Sequence, residues 1–145
     1  MRIVTRLIAM NRARLLGRQL REIERQVHNL PKRTRARLGT MALREIGQAS
    51  RCDFPHLYGT PPEERYLAWG QGTDIGLARA RSDNAEVAMR GIALWLAVAY
   101  HETKNTPHEN IRPHHRDLMR LLRELKEQHR ADPMQEWGVQ ATAAA

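Results

Sequence analysis

Apolar residues at Ala9, Ala13, Leu16, Leu20, Ile23, Val27 and Leu30 step alternately by four and three, the spacing that keeps side chains on one stripe of a helix. The stripe ends at Pro31. Arg12, Arg14, Arg18, Arg21 and Arg25 lie around it, which gives the predicted helix a basic opposite surface. With so few heptads the helix falls short of a free coiled coil and needs a partner to bury its stripe. That partner is either the rest of the chain or a second copy. In the second case Leu16, Leu20, Ile23 and Val27 are the contacts of a homo-oligomer or of a partner helix.

A second helix is expected to begin near Thr34 and to turn Leu38, Met41, Ala42 and Ile46 inward, its start dense in Lys32, Arg33, Arg35 and Arg37. After an irregular stretch from Cys52 to Gly59, the run Thr60-Pro61-Pro62-Glu63-Glu64 reads as a helix start. It offers a capping hydroxyl, prolines where no amide bond is lost, and acids at the positive helix end. The segment it opens, Pro61 to Arg81, holds Tyr66, Leu67, Trp69, Ile75 and Leu77 but also Gly70, Gly72 and Gly76. Each interior glycine costs about 1 kcal/mol relative to alanine, so the helix either breaks near Gly70 or is held there by close packing. The three glycines depart from a dinucleotide fingerprint, because the third comes one place too late and no βαβ unit surrounds them.

Asp83-Asn84-Ala85-Glu86 matches a capping box and opens a fourth helix to about Thr103. Its stretch Gly91 to Tyr100 is apolar on every side, which places it in the middle of a bundle. A loop from Asn105 to Pro113 leads to a last helix, Pro113 to Arg130, with Leu118, Leu121, Leu122 and Leu125 at helical spacing before Asp132-Pro133. No repeat, alternating strand pattern or hairpin signal occurs. The expected fold is therefore an all-α, single-domain bundle of about five helices. It spans residues 1–133, with a basic helical region over 1–50, a bundle core over 60–130 and a flexible tail over 134–145 anchored only by Trp137. The long basic amphipathic first helix either packs along the bundle or projects from it.

A chain of 145 residues with 41% hydrophobic content suits a single core. Cys52 is the only cysteine, which excludes an internal disulfide and thiolate zinc sites and fits a reducing, cytoplasmic setting. The longest apolar run, Gly91 to Tyr100, is about half of what a bilayer-spanning helix needs, so no transmembrane segment is expected. The first turns are broken by arginines too early for a secretory signal. Charge changes the picture more. Residues 1–50 carry 12 Lys or Arg against 3 acids, a net of +9, whereas residues 51–145 carry 12 against 13, a net of −1. This asymmetry points to nucleic acid, an anionic membrane surface or an acidic protein, set against a merely solvated arginine face.

The stretch Leu43-Arg44-Glu45-Ile46 through Leu57-Tyr58 resembles the helix-turn-helix pattern of bacterial repressors of the TetR type over sixteen residues. The resemblance implies that Asp53 caps a recognition helix with Pro55 in its first turn. The chain departs from it at Arg51, where glycine is usual, and at Gly59-Thr60-Pro61-Pro62, which ends that helix too soon to lie along a major groove. Sequence-independent contact asks less: Arg33, Arg35, Arg37, Arg44 and Arg51 would suffice to neutralise phosphates. No aromatic residue lies in the first fifty positions, which disfavours stacking on single strands and favours duplex backbone or an acidic protein.

His101, Glu102, His108 and His114, with His115 and Asp117 nearby, are the residue types that hold zinc, iron or manganese. Asn105 rather than histidine stands four places after His101, so tertiary folding would have to gather them; otherwise they are helix-end groups beside a solvated loop. Cys52, beside Arg51 and near His56, is the one candidate reactive thiol. No nucleophile elbow, phosphate loop or carboxylate pair accompanies it, so no catalytic residue and no cofactor is assigned. The expectation is a small non-enzymatic binding or regulatory protein whose basic N-terminal third contacts an anionic partner, above all nucleic acid. A protein–protein adaptor or self-associating bundle is the alternative, and a metal-binding protein or enzyme using residues 101–117 is a second.

Overall fold

The computed structural model describes residues 2–48, 69–106 and 108–130, and these form five α-helices with no strand among them. The helices are α1 (Arg2–His28), α2 (Lys32–Gln48), α3 (Trp69–Ala80), α4 (Ala85–Asn105) and α5 (Arg112–Arg130). The all-α bundle read from the periodicity is what the chain adopts. None of these helices is long and apolar enough to cross a membrane.

α4 is the axis. Asn84 caps it, its side-chain oxygen accepting from the amides of Glu86 and Val87 at 3.0 and 3.2 Å; the cap is thus one place after the Asp83 of the expected capping box, and Glu86 turns to Arg37 instead of returning to the cap. From Gly91 to Ala99 every residue is buried, with Trp95 the largest fully enclosed side chain. Glycines let α3 lie almost backbone to backbone on it. A methyl group at Gly76 would stand 2.8 Å from the Trp95 amide nitrogen, and one at Gly72 would stand 2.8 Å from Val98 Cγ2. Gly70 has no such neighbour; close packing thus explains Gly72 and Gly76, not Gly70. α2 covers another side of α4 and leans on α5, where Gly39 meets the Leu125 carbonyl.

α2 begins at Lys32 rather than Thr34, because the Pro31 carbonyl already accepts the first helical bond, from the Arg35 amide at 2.9 Å. Leu38, Met41 and Ala42 point into the core as expected. The Thr60 to Glu64 helix start and the tail over 134–145 lie outside the described residues.

α1 closes the bundle against α3 and α5. Its partners fix the register: Arg12 meets Glu102, Gln19 meets Trp95 and Glu22 meets Arg81, so α1 runs antiparallel to α4. Ten residues of α1 precede Arg12, whereas three residues of α4 follow Glu102. At 1.5 Å per residue the start of α1 extends about 10 Å past the end of α4. Among the described residues the helix packs along the bundle for most of its length and runs past the end of α4 at its start.

Candidate anionic-partner interface

At 3.6 residues per turn, Ala13, Leu16, Leu20, Ile23 and Val27 fall on one side of α1, and all are 0–6% exposed. Arg14, Arg18, Arg21 and Arg25 fall on the other side, and all are exposed. Polar bonds at the edges of the buried stripe lock this rotation. The Arg12 guanidinium forks onto Glu102, with Nε on Oε1 and Nη2 2.6 Å from Oε2, and Nη2 also donates to Thr73 Oγ1 at 2.7 Å. Gln19 is buried; its Oε1 accepts from Trp95 Nε1 at 2.7 Å, and its Nε2 donates to Asp74 Oδ1 at 3.2 Å. Farther along, Arg81 donates twice to Glu22, at 2.8 and 2.9 Å, and this bond holds the Glu22 carboxyl below its usual range.

These bonds occupy Arg12 and leave the outer arginines free. Arg14, Arg18 and Arg21 make no hydrogen bond or ion pair with any described residue. With Gly17, Asn110 and His114 they line an open cleft of about 630 Å³ between α1 and the start of α5. Gly17 makes room for the imidazole, since a methyl group there would stand 2.8 Å from His114 Cε1. Burial and the nearby Arg21 push the His114 pKa down, against an upward pull from Asp117. The cleft is thus cationic on the α1 side and holds a neutral donor or acceptor on the α5 side. A second cleft, of about 550 Å³ beside Lys104, Arg112 and Arg116, contains its own carboxylate, Glu109.

The arginines expected to carry contact lie elsewhere. Arg33 and Arg44 are exposed on α2, and Arg37 is exposed but reaches Glu86 at 3.5 Å. Arg35 is half-buried, its Nε enclosed without a hydrogen-bond partner among the described residues. Arg51 lies outside the described residues. Because α2 packs on α4 and α5 while α1 packs on α3 and α5, the two arginine sets occupy different sides of the bundle.

Leu16, Leu20, Ile23 and Val27 are 0–4% exposed inside the chain's own core, so the partner their stripe requires is α3, α4 and α5, and they are not presented to a second copy. The metal candidates are dispersed: Glu102 is taken by Arg12, His101 Nε2 donates to the Ile46 carbonyl at 3.1 Å, His108 Nδ1 accepts from the Asn110 amide at 3.2 Å, and His114 lines the α1 cleft. Among the described residues no group of three or more His, Cys, Asp or Glu is placed to hold a metal ion. Of the helix-turn-helix stretch, Leu43 to Gln48 form the last turns of α2; the remainder, like Cys52 and His56, lies outside the described residues.

Two features escaped the sequence reading. The Arg12–Glu102 pair joins residues 90 apart, although the position of Arg12 at the border of the buried stripe, unlike that of Arg14 or Arg18, was a usable signal. Glu45, on α2, is 1% exposed, neither carboxyl oxygen has a hydrogen-bond partner among the described residues, and burial pushes its pKa up to about 7. Comparison with protein-family models, curated proteins and solved structures finds no match to this chain.

Proposed function

We propose that this protein is a non-enzymatic binding protein that holds a nucleic-acid duplex by its phosphate backbone, through the outer line of α1. The observation that carries this reading is the row Arg14, Arg18, Arg21 and Arg25, exposed on one side of a helix whose rotation is fixed by bonds on the other. From Arg14 to Arg25 the row spans about 16 Å, comparable to about five base-pair steps of a duplex at 3.4 Å each. Guanidinium groups bind phosphate in a planar fork, which makes arginine better suited than lysine to this contact. No aromatic side chain stands in this row, so stacking on single strands contributes nothing to the contact.

Fluorescence anisotropy with a short labelled duplex across a salt series tests the reading. Affinity is expected to fall steeply with salt, and Arg14→Ala/Arg18→Ala/Arg21→Ala should lower the log–log salt slope by about 3, at roughly 0.9 for each phosphate that no longer has an arginine to neutralise it. Changing Arg33 and Arg37 to alanine should leave binding nearly intact. Absence of binding at low salt, or a triple variant that binds like the parent, overturns it.

A further inference from the structure

The apolar face of α1 changes sides along the helix. From Ala13 to Val27 it points into the core, but before Met10 it points out: Ile3 is 74% exposed, Val4 59%, Leu7 53% and Ile8 63%. Steps of seven residues connect Leu7 to Arg14 and Arg21, and Val4 to Asn11, Arg18 and Arg25. One outward line therefore reads aliphatic over the first turns and cationic over the next three. Continued toward the N-terminus, the buried line through Ala13 and Leu20 reaches Arg6, which is exposed. The reversal coincides with the stretch of α1 that extends past the end of α4, where none of the other described helices runs alongside its full length to cover an inward face.

We infer that this tip is a docking element for an anionic lipid bilayer: Ile3, Val4, Leu7 and Ile8 enter the interface while Arg14 and Arg18, on the same line, rest on the lipid phosphates. The charge pattern selects this occupant. No carboxylate occurs before Glu22, so nothing along the tip repels an anionic surface, and arginine stems can lie on apolar surface while their heads reach phosphate. A duplex backbone has no apolar slot for four aliphatic side chains. A second copy would bring two arginine rows together, and the patch is far smaller than the roughly twenty residues a side of a stable protein interface. The inference does not depend on the nucleic-acid reading.

The test is co-sedimentation of the full chain with phosphatidylcholine vesicles with and without phosphatidylglycerol, alongside the duplex assay. The protein is expected to bind the anionic vesicles and to leave the neutral ones largely unbound. Leu7→Ser/Ile8→Ser should weaken vesicle binding by on the order of tenfold or more while leaving thermal unfolding and duplex affinity nearly unchanged, since both positions are exposed and the substitutions add no charge. Leu7→Ala should give a smaller loss of the same kind. No binding to anionic vesicles, or a double variant that binds them as well as the parent, overturns the inference whatever the duplex assay returns. Concentration-dependent self-association abolished by the double variant would assign the face to a second copy and overturn it as well.

Discussion

The two ends of α1 use the same residue types to opposite effect. Leu7 and Ile8 near its start and Leu16 and Ile23 farther along are aliphatic residues on one continuous helix, yet the first pair is more than half exposed and the second at most 1%. What differs is what stands beside them. From Arg12 onward α1 has α3, α4 and α5 as neighbours; before it, α4 has all but run out. Helical spacing says that a face exists, and only the length of the neighbouring helices says whether that face is a core or a surface.

Three substitutions put that contrast to the test. Leu16→Ala should have the largest effect, destabilising the protein by about 2–5 kcal/mol in urea unfolding, because it empties a fully packed site. Arg12→Met, at the boundary between the two stretches, should cost about 3 kcal/mol, since it leaves the Glu102 carboxylate enclosed without its partner. Leu7→Ala should change stability by no more than about 0.5 kcal/mol. If Leu7→Ala cost as much as Leu16→Ala, the tip would be part of the core and the contrast would disappear; a null result at Arg12 would mean that the rotation of α1 is set by packing alone.

Most of the bundle is legible in the sequence because it rests on local rules. The stripe from Ala13 to Val27, the inward Leu38, Met41 and Ala42, the Asn84 cap and the all-round apolar stretch of α4 are each decided within a few residues. The same rules pick out the outer arginines of α1, yet charge density in the sequence points to Arg33, Arg35, Arg37, Arg44 and Arg51 instead. Density does not record what each charge already touches: Arg37 has Glu86 and Arg12 has Glu102, partners 49 and 90 residues away. The outward face of the tip escapes for a related reason. A stripe traced from Ala9 toward the C-terminus omits Val4, Leu7 and Ile8, whose spacing belongs to the opposite side of the helix.

The enclosed carboxyl of Glu45 makes folding a proton-consuming reaction. Its pKa rises from 4.5 to about 7 in the native protein, so between those values the folded chain holds a proton that the unfolded chain has released. Stability from this position is therefore intact in mild acid and erodes as pH climbs through the window, by about 3 kcal/mol in total. At this one residue of α2, the passage from mild acid to neutral pH works as a denaturant.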